Sequence, residues 1–166
     1  MLTIKKLFLN PEIFLLLFLV SACSENKHAY ISNQQNENTP MKKTIIQTDK
    51  APSPIGPYSQ AIMVDNILFV SGQVAIDPAT GNLNTKDIAI ETTQVMQNIK
   101  AILNEAGMGF ENIVKTTIFL KNMDDFAKVN EIYGSNFAGD FPARETVQVS
   151  KLPKDANVEI SVTAVK

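Results

Sequence analysis

The chain has 166 residues, a formal charge of −2 and 45% hydrophobic residues, with one cysteine, one histidine and no tryptophan. That is enough for one domain with an appendage and a sizeable core, and the balanced charge, without a dense Lys/Arg cluster or an aromatic ladder, gives no footprint for nucleic acid. Cys23 and His28 both precede the region patterned for folding, which excludes a disulfide framework, a Cys/His metal cluster, a cysteine nucleophile and a Ser-His-Asp triad from the domain.

Residues 1–22 read as a lipoprotein-type signal peptide: Lys5 and Lys6, an apolar run from Ile13 to Val20, then Ser21-Ala22 before Cys23. The run is too short to span a bilayer. Cys23 is therefore the expected lipidation site, which places the chain in the cell envelope on a lipid anchor. Residues 23–40 are polar and nearly free of core-forming side chains, a tether. Cleavage would remove Lys5, Lys6 and Glu12 and take the formal charge from −2 to −3. Met41-Lys42-Lys43-Thr44-Ile45 also has the form of a translation start, and a chain beginning there would be cytoplasmic.

The folded domain is expected over residues 41–166. A first strand is predicted from Lys43 to Gln47, and the proline-restricted loop Ala51–Pro57 then delivers Tyr58. Strands Ala61–Val64 and Ile67–Ser71 flank Asp65-Asn66, a pair suited to a two-residue turn, and Asp77-Pro78-Ala79-Thr80-Gly81 makes another. From Asp87 to Ala106 the residues Ile88, Val95, Met96, Ile99, Ile102 and Leu103 recur at helical spacing, with Gly107 placed to end the helix. Ile113–Leu120 reads as a central strand and Asp124–Phe137 as a second amphipathic helix.

Two further strands follow. In Arg144–Val149 and Val158–Val162 the apolar residues Val147, Val149, Val158, Ile160 and Val162 alternate with Arg144, Thr146, Gln148, Glu159 and Ser161, so the first set is expected to face the core and the second to face away. The order β-β-β-α-β-α-β-β suggests an α+β mixed sheet with both helices on one face. Arg144, fixed behind Pro142, offers a planar fork of donors matched to a carboxylate. If the last two strands formed a tight hairpin turning near Pro153, Arg144 would stand opposite Thr163, four residues and roughly 13 Å from Glu159. The two share a site only if a bulge, another strand order or a second subunit unites them. Otherwise they are ordinary solvated strand residues.

Four segments, Ile55-Gly56-Pro57-Tyr58-Ser59-Gln60, Ser71-Gly72-Gln73, Phe141-Pro142-Ala143-Arg144 and Leu152-Pro153-Lys154-Asp155 with Val158-Glu159-Ile160, resemble in order and spacing the YjgF/Rid family of reactive-intermediate deaminases. The resemblance runs from about Lys42 to Val165. It implies a chorismate-mutase-like homotrimer with ligand sites in clefts between subunits. It also implies hydrolysis of 2-aminoacrylate-type enamines, through their imine tautomers, to 2-keto acids and ammonia, with no metal and no organic cofactor. On that pattern Arg144 grips the substrate carboxylate, Glu159 handles the water and the proton to nitrogen, and Tyr58 caps the pocket. Ser71, Gly72 and Asn130 line it.

Two positions depart from the family pattern. Thr146 stands where many relatives have cysteine, so its hydroxyl can only hydrogen-bond. Glu145 stands where a small Ser or Thr is common; strand alternation points it away from Arg144, yet a carboxylate so near could still compete for the guanidinium. Two other functions are carried beside the deaminase: a non-catalytic trimer of the envelope that binds a small carboxylate through Arg144, and an RNA-cleaving or protein-protecting role, with the lack of a basic patch counting against RNA.

Overall fold

The computed structural model describes residues 41–166, a compact unit of its own. The signal peptide, Cys23 and the tether therefore lie outside the described residues. The elements follow the expected order: β1 Lys43–Ile46, β2 Ala61–Val64, β3 Ile67–Gln73, α1 Ile88–Glu105, β4 Ile113–Leu120, α2 Phe126–Gly134, β5 Ala143–Gln148 and β6 Val158–Val165. Among the described residues no helix is long and apolar enough to cross a membrane.

Local chemistry sets the boundaries. Val64 pairs with Ile67 across Asp65-Asn66, with Asp65 at φ 52°, the left-handed backbone that a two-residue hairpin turn requires. The Asp87 carboxylate caps α1 by accepting from the Ile90 N–H at 2.8 Å. Gly107, at φ 68°, ends the helix, with the Met108 N–H returning to the Leu103 carbonyl at 2.9 Å. The second helix is shorter than its periodicity predicts. Met123–Asp125 forms a 3₁₀ turn and the α-helix stops at Gly134, so Phe137 leaves the helix and joins an aromatic cluster with Phe110, Tyr133 and Phe141.

The six strands lie in the order β1-β2-β3-β6-β4-β5, antiparallel except for β4 and β5. Their parallel pairing follows from the α2 crossover between them. Both helices cover one face. Val95, Met96, Ile99, Ile102 and Leu103 of α1 meet Leu68, Ile118, Leu120, Val158, Ile160 and Val162 of the sheet, none more than 4% exposed. Each such side chain contributes about 1.5–3 kcal/mol on burial.

This strand order settles one alternative left open by the sequence and corrects one expectation. β5 and β6 are not neighbours, because β4 runs between them. The faces are also reassigned. Arg144 aligns with Thr116 and, across it, Val162; Val147 aligns with Phe119 and then Glu159. Residues paired across strands share a face. Arg144, Thr146 and Gln148 therefore sit on the helix side with Val158, Ile160 and Val162, whereas Val147, 41% exposed, sits with Glu159 and Ser161 on the open face. Alternation identifies which residues of a strand share a face, not which face is covered.

Between Val70, paired with Val162, and Gln73, paired with Ile160, two residues of β3 oppose one of β6. Ser71 and Gly72 thus form a β-bulge, a device that bends a strand and re-aims its side chains.

Candidate functional site

Most of the predicted residues line two clefts, and Tyr58 and Ser71 also border a wider one with Ile62 and Phe69. The first, of about 330 Å³, is lined by Ile55, Tyr58, Ser71, Gly72, Val74, Pro153 and Glu159. The bulge places the Gly72 backbone directly beneath the Glu159 carboxyl: a methyl added to Gly72 would lie 1.9 Å from Glu159 Oε1 and 2.7 Å from its Cδ. Glycine is needed here for close approach, since its backbone is not in the left-handed region. Burial raises the Glu159 pKa above the ordinary glutamate value, because a carboxylate loses water here without a compensating donor.

Tyr58 stands at the rim, 46% exposed, its hydroxyl accepting from the Ile55 N–H at 3.1 Å. The Ser71 hydroxyl donates to the Ser59 carbonyl at 2.7 Å, leaving its lone pairs as acceptors. The loop that carries Tyr58 is fixed by Gln60, which is 2% exposed. Its amide accepts from the Thr48 N–H at 2.8 Å and donates to the carbonyls of Thr48, Ala51 and Pro52 at 3.0, 3.2 and 2.9 Å. Gln60 ends the Ile55–Gln60 segment, but only the fold reveals what it does.

The second cleft, of about 380 Å³, is lined by Asn130, Tyr133, Gly134, Phe141, Pro142 and Arg144. The Arg144 guanidinium lies 5.0 Å from the centroid of the Tyr133 ring and 5.9 Å from that of Phe126, an aromatic seat for a cation. The Tyr133 hydroxyl donates to Thr116 Oγ1 at 2.9 Å. Desolvation raises the Tyr133 pKa, opposed by the Thr116 hydrogen bond and by Arg144. The ion pairs of the described residues are Lys115–Glu145, Lys121–Asp155 and Lys128–Glu131, so Arg144 has no carboxylate of its own. Asn130 Oδ1 and Thr146 Oγ1 are buried without hydrogen-bond partners. Tyr133 and Phe126 follow the helical spacing of the second helix, which gives no signal that they would seat a guanidinium.

Glu145 does not compete for the guanidinium. It points to the open face, where Lys115 and Thr117 Oγ1, the latter at 2.6 Å, both donate to it and lower its pKa. Among the described residues, no three His, Cys, Asp or Glu side chains stand close enough together to hold a metal ion. A larger cleft between Lys100 and Asp140 contains none of the predicted residues.

The structure thus brings Tyr58, Ser71, Gly72 and Glu159 together, and Arg144 with Asn130, but leaves the two groups on opposite faces of one sheet. Residues 48–166 match the sequence profile of the family described as Endoribonuclease L-PSP. A RutC family protein of Pyrococcus abyssi is 52% identical over 126 residues, covering 76% of this chain and 99% of that protein. A mouse protein named 2-iminobutanoate/2-iminopropanoate deaminase is 47% identical over 124 residues, 75% of this chain and 92% of its own length. Among solved structures, a protein of the conserved Rid family from Yersinia pestis superposes with a TM-score of 0.74 at 52% identity, over 75% of this chain and all of that one. The chain belongs to the Endoribonuclease L-PSP family, the group that includes the YjgF, RutC and Rid proteins.

Proposed function

We propose that the protein hydrolyses 2-imino acids, formed from 2-aminoacrylate-type enamines, to 2-keto acids and ammonia. The observation that carries this reading is an unpaired guanidinium seated in one cleft and a desolvated carboxylate in the other. The mouse relative's name supports the same chemistry. In an imino acid the carboxylate is bonded to the very carbon that reacts, so both clefts must meet at one substrate. Within one chain the sheet keeps them apart. A homotrimer, in which the Arg144 cleft of one subunit closes against the partner subunit's Glu159 cleft, satisfies both requirements.

In that assembly Arg144 binds the carboxylate through two parallel charge-assisted hydrogen bonds, with Asn130 and the Thr146 hydroxyl beside it. Glu159 takes a proton from water as the oxygen attacks the imine carbon, forming a C–O bond and shifting the C=N electron pair to nitrogen. That proton passes to nitrogen and gives a carbinolamine; Glu159 then takes the carbinolamine hydroxyl proton and delivers it to the same nitrogen, so that the C–N bond breaks and ammonia leaves as the carbonyl forms. Tyr58 covers the pocket, and Ser71 and the Gly72 backbone orient the imino group. These steps need no cofactor. The location follows the sequence: a lipid anchor at Cys23 holding the domain in the cell envelope, supplied with imines by amino-acid oxidation outside the cytoplasm.

The test supplies residues 41–166, the compact unit of the described chain, with imines generated in place by an amino-acid oxidase and follows keto-acid release. Acceleration by the wild-type domain and its loss in Arg144→Ala are expected. No acceleration for small or branched side chains, with calorimetric keto-acid binding that depends on Arg144, would instead make it a non-catalytic carboxylate-binding trimer. Fatty-acid labelling that is lost in Cys23→Ala is expected of the anchor; an unlabelled chain starting at Met41 would refute it.

A further inference from the structure

Two buried side chains of α1, Glu91 and Asn98, reach beyond the helix with polar atoms; they are 0% and 1% exposed and, seven residues apart, lie on one side of it. Asn98 Nδ2 donates to the carbonyls of Val74 and Ile76 at 3.1 and 3.0 Å, just beyond the Ser71–Gly72 bulge. Glu91 holds the other wall of the same cleft. Its Oε1 accepts from the backbone N–H groups of Asn157 at 2.7 Å and Val158 at 3.4 Å, and its Oε2 accepts from Asn157 Nδ2 at 2.8 Å. The Asn157 carbonyl in turn accepts from the Lys121 N–H at 2.9 Å. Asn157 is therefore tied on both sides, two residues before Glu159.

The preceding turn gives these ties a purpose. Lys154 and Asp155 adopt φ of 58° and 60°, a backbone that non-glycine residues hold only when the flanking structure fixes them. Pro153, in the same turn, is a wall of the Glu159 cleft. A buried carboxylate with no cation beside it is a poor choice for stability alone, since an apolar side chain could fill the space without the desolvation cost. Its three donors all belong to the segment that sets the start of β6.

We propose that Glu91 is a positioning residue for the deamination, an inference that rests on the function proposed above: by tying Asn157 and Val158 it sets where the Glu159 carboxyl stands over Gly72. It touches no substrate, and the carboxylate-binding cleft around Arg144 is separate from it. Its removal should therefore lower kcat while leaving KM nearly alone.

The experiment compares the full wild-type chain with Glu91→Leu, Glu91→Gln and Asn157→Ala, measuring kcat, KM and thermal melting. Glu91→Leu, which leaves the Asn157 and Val158 N–H groups unpaired, is expected to lose kcat by about tenfold or more with KM within about twofold. Glu91→Gln keeps Oε1 as acceptor and can meet a turned Asn157 amide, so kcat should return to within about threefold of wild type. Asn157→Ala removes one tie from a half-buried position and covers the case in which Glu91→Leu does not fold; its kcat should fall in the same direction, with some loss of melting temperature because the buried Glu91 Oε2 loses its donor. Turnover by the wild type with Glu91→Leu or Asn157→Ala affecting melting alone overturns the positioning role and leaves the deaminase reading intact. No turnover by the wild type overturns both.

Discussion

Gly72→Ala isolates the contact between the β3 bulge and the proposed base. The added Cβ would lie 1.9 Å from Glu159 Oε1, 2.7 Å from Cδ and 3.0 Å from Cγ, whereas ordinary contact begins at 3.4 Å. The carboxyl must therefore retreat by about 1.5 Å, most simply by a χ rotation that costs about 0.5–1.5 kcal/mol. The Gly72 backbone is acceptable to alanine, and the smaller entropy of the unfolded chain returns about 0.4–1 kcal/mol, so stability should barely move. Catalysis is more sensitive: displacement of a reacting group by about 1 Å costs about 10²-fold, or about 2.7 kcal/mol of activation free energy. The assay is keto-acid release from oxidase-generated imines, with melting measured on the same preparations. A fall in kcat of about a hundredfold is expected, with KM little changed because Arg144 lies in the other cleft. In a Glu159→Gln background the alanine should add almost nothing, since both changes act on one group. A Gly72→Ala enzyme with kcat within about threefold of wild type would show that the seat over Gly72 is irrelevant to the chemistry.

Arg144→Lys should raise KM by about ten- to a hundredfold, corresponding to roughly 1.5–3 kcal/mol for a hydrogen bond to a charged group, because an ammonium cannot form the two parallel bonds; substrate titrations measure it directly. Glu159 has a raised pKa in the folded state, so its stability contribution is fully present below the ordinary glutamate range and is lost as pH rises through the folded value. Glu159→Gln lacks that loss, and melting temperatures should diverge in its favour as pH rises above the ordinary glutamate range; parallel curves would contradict the burial effect. Glu145→Ser should leave KM and kcat unchanged, since Glu145 is on the open face in an exposed pair with Lys115; a marked drop in KM would mean that Glu145 reaches Arg144 after all.

The elements were legible in the chain because their signals are local. The stripe from Ile88 to Leu103, the Asp65-Asn66 turn and Gly107 each act within a few residues, and each appears where the pattern puts it. The extent of α2 was overread, because Phe137 continues the helical spacing but packs instead among Phe110, Tyr133 and Phe141. The strand faces were not legible. Val147 alternates as regularly as Ile160, yet β5 joins the sheet through a parallel crossover and lies two strands from β6, and no local pattern records which side α2 will cover. Glu91 was invisible for a related reason. A lone acid in the first turn of an amphipathic helix reads as a solvated residue favoured by the helix dipole; its partners, Asn157 and Val158, are 66 and 67 positions away.

The readiness of Arg144 follows from what its neighbours do to the one carboxylate beside it in sequence. Strand alternation sends Glu145 to the open face, but a long side chain at an edge strand could still fold back. Lys115 and Thr117 prevent this by occupying both of its oxygens from β4. On the other side Tyr133, anchored through Thr116, and Phe126 hold the guanidinium by contacts that use none of its N–H donors. An arginine kept in place by ring faces, with its adjacent acid engaged elsewhere, retains its whole donor fork for an incoming carboxylate. In the proposed function the grip on an acid therefore depends also on Lys115 and Thr117 of β4, which do not line the Arg144 cleft, and replacing the two together by alanine should make Glu145 an inhibitor of binding. KM in that double variant should rise and then return toward wild type when Glu145→Ser is added, whereas a KM that ignores all three changes would show that Arg144 needs no such protection.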